Sequence, residues 1–153
     1  MSKKRCFFIG HRDTSEAIIP ILKDAIEHHI INLGVSEFVV GHDGSFDKIV
    51  AKTLLATKDR YPEIKLTLLI PYHPAERPVR LPNGFDDSLY PDGMEAVPRK
   101  TSIIRANRYA VEHSDYLIAY VGHTASNSKD ILEYAYKLER KGSLTVTLLE
   151  HKL

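Results

Sequence analysis

The chain has one cysteine, Cys6, and no tryptophan in 153 residues. A single cysteine excludes an internal disulfide, and a thiol inside an apolar run reads as structural rather than nucleophilic. An excess of charge of either sign is also missing: Lys and Arg number 21 against 20 Asp and Glu, a formal net charge of +1. A chain so balanced exerts little long-range pull on nucleic acids or membrane surfaces, which argues against nucleic acid as a partner. No apolar run approaches the roughly 20 residues of a membrane span. The apolar stretch after the basic start, Met1 to Arg5, is too short for a secretory signal, so the expectation is a cytoplasmic protein with no membrane partner. There is no Walker lysine-serine pair, no dinucleotide glycine fingerprint and no His-x-x-x-His spacing, so no cofactor and no metal is implied.

What is present suits a globular chain. Apolar residues make up 43% and charged residues 27%, and the length suffices for one domain with its own core, expected to span residues 1–153. The organising stretch is Cys6-Phe7-Phe8-Ile9-Gly10-His11-Arg12-Asp13-Thr14. Four apolar residues without alternation predict a strand buried on both faces, as in a parallel sheet. Gly10 permits a tight turn, and polar residues then crowd the start of a helical pattern. Strand, glycine turn and helix N-terminus together form a place where an anion can sit.

The rest of the chain alternates in the same way. Ile18, Ile19, Ile21, Leu22, Ala25, Ile26 and Ile30 predict a first helix, capped by Asp13 or Thr14, with Pro20 in its first turn and Gly34 as its stop. Glu37 to Val40 is a second strand, followed by a turn through Gly41 and Gly44 in which Ser45 is placed to cap the next helix. Lys65 to Ile70 is a third strand. Six of the eight prolines then fall between Pro71 and Pro98, and the segment from about 72 to 97 reads as a long loop with no core of its own. A helix from Pro98 or Arg99 to His113, a strand from Asp115 to Val121, a helix from about Ser128 to Lys141 and a strand from Leu144 to Leu149 complete the pattern. Five strands with helical connections predict an α/β, Rossmann-like, doubly wound and mainly parallel sheet in three α/β/α layers. Ligands in such folds bind beyond the carboxyl ends of the strands, where the strand order reverses.

The candidate site residues follow from that rule. Gly10, His11, Arg12 and Thr14 form the first turn; Gly41, Gly44, Ser45 and Asp47 form a second cradle; Gly122, His123 and Ser126 lie in a third. Asp47, in a first helical turn, can favour the dipole or hold a ribose hydroxyl. Thr101 opens a helix on the ligand side of the sheet, and Asn107 is an amide on an apolar stripe that needs a partner if buried. Three strand ends read Gly-His and a fourth Pro-Tyr-His, and loop hydrogen bonding or a phosphate pocket shared with Arg12 explains these histidines better than a metal. Glu133, about two turns into the last helix, is either a surface carboxylate or a group that stabilises a ribosyl cation.

Phe8-Ile9-Gly10-His11-Arg12 resembles the opening strand and turn of the YpsA-like branch of the SLOG superfamily. Gly41-x-x-Gly44-x-Phe46-Asp47-x-x-x-Ala51 resembles its second signature, and Arg105-x-Asn107-x-x-x-Val111-x-x-Ser114-Asp115-x-Leu117-Ile118-Ala119 its third. The resemblance implies a Rossmann-like domain that binds a nucleotide or nucleotide-derived small molecule, as a sensor or sequestering module. It also implies an alternative, since LOG enzymes of the superfamily hydrolyse the N-glycosidic bond of a nucleoside monophosphate, and the related nucleoside deoxyribosyltransferases use a helix carboxylate that Glu133 would match. The chain departs from the LOG Pro-Gly-Gly-x-Gly-Thr turn, keeping only Gly122 of its glycines. The apolar outer helix faces and the tyrosine content permit a homo-oligomer.

Overall fold

The computed structural model describes residues 3–42, 44–75, 79–121 and 127–150. Six parallel strands form one sheet: β1 (Lys4–Gly10), β2 (Val35–Val40), β3 (Lys65–Leu69), β4 (Asp87–Leu89), β5 (Tyr116–Tyr120) and β6 (Thr145–Leu148), in the order β4-β3-β2-β1-β5-β6. Four helices connect them: α1 (Ile19–Ile31), α2 (Ser45–Arg60), α3 (Ser102–Glu112) and α4 (Asn127–Arg140).

The run Cys6 to Ile9 shows why the sheet is buried on both faces. Adjacent side chains on a strand point to opposite sides. Cys6 and Phe8 enter a core with Leu22, Ile26, Phe46, Val50 and Leu54, which belong to α1 and α2. Phe7 and Ile9 enter a second core with Ala106, Ala110, Ile131 and Ala135, which belong to α3 and α4. This is the expected three-layer, doubly wound arrangement. The Cys6 thiol is fully buried, and burial pushes its pKa up, in keeping with a structural role.

Two expectations are corrected. The sheet has six strands, because β4 forms inside the segment that reads as a loop. Pairing holds this short strand: Ile70 N–H donates to Leu89 O at 2.8 Å, and Asp86 accepts from Leu66 N–H at 2.8 Å and from Lys58 Nζ. The same segment also contributes to both cores, through buried Phe85 and Met94. At the other correction, the first helical stretch begins with a 3-10 turn capped by Ser15, whose Oγ accepts from Ala17 N–H at 3.1 Å, rather than by Asp13 or Thr14. The regular helix starts at Ile19 with Pro20 in its first turn, where a missing N–H costs nothing.

Beneath α1 lies a buried histidine. His29 Nδ1–H donates to Ala25 O at 2.6 Å, the ring meets Tyr116 edge-on at 5.5 Å, and Nε2 has no hydrogen-bond partner. Burial lowers its pKa, outweighing the bond to Ala25, and His28 lowers it further. The unfolded chain therefore binds this proton more readily than the native one. The contribution is intact above the unfolded value of about 6.5 and declines as pH falls below it, with a slope of up to about 1.4 kcal/mol per pH unit. His29→Gln is expected to flatten stability measured by urea unfolding between pH 6.5 and 5, while the wild type loses stability across that window.

Candidate functional site

Beyond β1 the chain leaves the sheet in one direction, through β2 and β3 to β4, and returns to β5 on the other side of β1. The order reverses between β1 and β5, and side chains and helices part there at the carboxyl ends. A cleft of about 630 Å³ opens at those ends. Its polar wall comes from the turns after β1 and β2: Gly10, His11, Arg12, Asp13, Gly41 and His42, with Asp47 from the first turn of α2. Its apolar wall comes from Phe7, Ile9, Leu69 and Pro71, joined by Tyr72 and by Ile103 and Ala106 of α3.

The two turns are tied to each other. Ser45 N–H donates to Arg12 O at 2.9 Å and the Ser45 hydroxyl donates to the same oxygen. Thr14 N–H donates to Ser45 Oγ at 2.6 Å, and Thr14 Oγ1 donates to His11 O at 2.7 Å. Both hydroxyls, expected at the ligand, are spent holding the loops together, and neither residue lines the cleft. Ser45 is also not the cap of α2: Gly44 holds the N-cap position, and no side chain caps the helix. The start of α2 therefore has no side-chain cap, and the Asp47 carboxylate in its first turn shares the helix's partial positive charge with whatever enters beside it.

The glycines have distinct reasons. Gly10 is not needed for an unusual dihedral; a Cβ there would lie 2.3 Å from the Phe46 ring. At Gly41 a Cβ would lie 2.9 Å from Asp47 Oδ2, so its absence leaves room for that carboxylate. Gly44 alone of the three has a left-handed φ, +114°, and a Cβ there would meet Arg12 Cα at 3.1 Å. Gly44→Ala is expected to destabilise the protein by about 1–2 kcal/mol through backbone strain, and to displace the Arg12 loop. Chemical denaturation, with amide chemical shifts of residues 11–14, checks both effects. This strain makes any larger residue at Gly44 unsuitable for a purely binding test.

Of the other expected residues, Asn107 lines the cleft from α3, half-buried and without a hydrogen-bond partner among the described residues. Thr101 is exposed and its hydroxyl donates to Pro98 O at 3.1 Å. Gly122, His123 and Ser126 lie outside the described residues. Glu133 is exposed on α4, whose buried residues Ile131, Leu132 and Ala135 face the sheet, and it does not line the cleft. The strand-end histidines have local engagements: His42 Nδ1 pairs with Leu69 O at 3.2 Å, the His11 ring meets Tyr120 at 5.7 Å, and the His73 ring meets Tyr90 at 5.5 Å. Among the described residues no three His, Cys, Asp or Glu side chains gather as metal ligands would. Also among the described residues, no helix is long and apolar enough to cross a membrane.

Several lining residues were not among those expected, Tyr72, Ile103 and Ser128 being the most informative. Tyr72 lies three residues beyond the end of β3, with the Arg99 guanidinium 5.6 Å from its ring centroid. Ile103 reads as core until α3 is placed over the cleft. Ser128 donates to Gly10 O at 2.8 Å and brings the start of α4 to the first turn. The strand-end rule could have found Tyr72; nothing in spacing alone marks the other two.

No known protein-family model matches the chain, and no curated protein matches it.

Proposed function

We propose that the chain binds a nucleotide or nucleotide-derived ligand at the carboxyl ends of its strands, as a cytoplasmic sensing or sequestering module. The observation that carries this reading is the convergence at one cleft of the Arg12 loop, the Gly41 turn and the uncapped start of α2. A phosphate there would meet backbone N–H groups, a favourable dipole and a guanidinium. The Asp47 carboxylate, half-buried beside Gly41 and lining the cleft, supports the reading as an acceptor for a ribose hydroxyl. The resemblance to the YpsA-like branch of the SLOG superfamily supports the same ligand class. Chemistry at an N-glycosidic bond through Glu133 draws no support from the geometry, since that side chain is exposed away from the cleft.

A thermal-shift screen tests the reading. Nucleoside 5′-monophosphates, cyclic nucleotides, ADP-ribose and NAD are each added to the full chain, with metal and chelator arms. A ligand at a hundred times its dissociation constant stabilises by about 2.7 kcal/mol, which corresponds to about 5–10 °C for a chain of this size. At least one phosphorylated compound is expected to produce such a shift, unaffected by chelator. Silence across the panel contradicts the reading.

A further inference from the structure

Asn107 presents an unusual situation. It lies on the sheet-facing side of α3, one turn beyond Ile103 and beside buried Ala106 and Ala110, and its carboxamide has no partner among the described residues. The carboxamide is open to the cleft and keeps its hydrogen-bonding capacity for whatever enters. Its neighbours in the cleft wall, Phe7, Leu69 and Ala106, cannot hydrogen-bond it through their side chains. Tyr72 also lines the cleft, with Arg99 over its ring. The lining thus differs in chemistry from place to place: polar and charged side chains come from the turns at Gly10 and Gly41, whereas Tyr72 and α3 supply aromatic and apolar surface together with the Asn107 carboxamide.

We propose that the surface supplied by Tyr72 and α3 receives the nucleobase of the ligand and that Asn107 is the specificity-determining residue that reads its edge; this rests on the nucleotide reading above. A carboxamide offers one acceptor and two donor hydrogens in a plane. It pairs in bidentate fashion with a base edge that presents a donor next to an acceptor. It cannot satisfy an edge of two adjacent donors, such as N1–H and N2–H of guanine. A carboxylate at the same position favours that pair of donors over every donor–acceptor edge, because it accepts twice and donates nothing.

The test uses the full chain and calorimetric titration with AMP, GMP, CMP, UMP and ribose 5-phosphate. Asn107→Leu, which keeps the branched shape but removes the polar atoms, is expected to weaken the best-binding monophosphate about 10–100-fold while leaving ribose 5-phosphate unchanged. Asn107→Asp is expected to raise the affinity for GMP at least about 10-fold relative to the other three, whatever the absolute loss from the added charge. An unchanged affinity for GMP relative to the other three in Asn107→Asp overturns the proposal, as does an equal loss of ribose 5-phosphate binding in Asn107→Leu. Failure of every monophosphate and of ribose 5-phosphate to bind the wild type overturns the nucleotide reading as well. The two failures are therefore distinguishable.

Discussion

Gly10→Val is expected to destabilise the native state by about 3 kcal/mol or more, at or above the upper end of ordinary overpacking. The Cβ alone would stand 2.3 Å from one Phe46 ring carbon and 2.5 Å from two others. Phe46 cannot simply swing away. It is buried, and its ring stacks against Tyr120 with centroids 6.5 Å apart. Moving it would shift the start of α2, and with it the Gly41 and Gly44 turns. Phe46→Ala on its own opens a cavity and is expected to cost about 3–5 kcal/mol. In the Phe46→Ala background, however, Gly10→Val should cost little, because the branched side chain occupies the space the ring has left. Urea unfolding of the four proteins gives the coupling energy, expected at about 2–3 kcal/mol in favour of the double variant. Additive costs would mean that Gly10 serves some purpose other than accommodating Phe46.

Arg12→Ala is expected to have the opposite profile, leaving stability nearly unchanged and removing most of the binding. The side chain is exposed and belongs to neither core, so truncation should alter stability by no more than about 0.5 kcal/mol. The latch between the loops uses the Arg12 carbonyl rather than its guanidinium, and it survives the change. A charge-assisted bond to a phosphate contributes about 1.5–3 kcal/mol, so the affinity for a nucleoside 5′-monophosphate should fall about 10–100-fold. The affinity for the matching nucleoside should stay the same, and Arg12→Lys should recover part of the loss as a point charge without the planar fork. Titration calorimetry on the three proteins at fixed ionic strength measures each of these. Equal losses for nucleoside and monophosphate would place Arg12 away from the phosphate.

Much of the fold is legible in the sequence because its signals are local and repeated. Cys6 to Ile9 is continuous and apolar, and it supplies both cores from alternate residues. β4 is not legible, since Asp87-Ser88-Leu89 is too short for a periodicity and mostly exposed. Its existence depends on the backbone of β3 and on the Asp86 contact with Leu66, both long-range. The site divides in the same way. Asn107 stands out in the sequence as a polar residue on an apolar stripe, and the structure places it at the cleft. Glu133 lies on a helix whose register against the sheet is decided by Ile131, Leu132 and Ala135, and that register turns it outward. Thr14 and Ser45 carry the residue types of an anion site but serve as a latch, a use that requires two turns 31 residues apart to meet. Gly10 reads as a turn glycine, whereas the ring of a residue one helix later requires it.

The measurement that bears most directly on the central claim is a titration of the isotope-labelled full chain with a nucleoside 5′-monophosphate, followed through its backbone amide resonances. The nucleotide reading predicts saturable shifts concentrated at residues 10–14 and 41–47, with smaller ones at 72 and 103–107, and markedly weaker effects from the unphosphorylated nucleoside. Shifts confined to the outer faces of α1 or α4, or none at millimolar monophosphate, would contradict it.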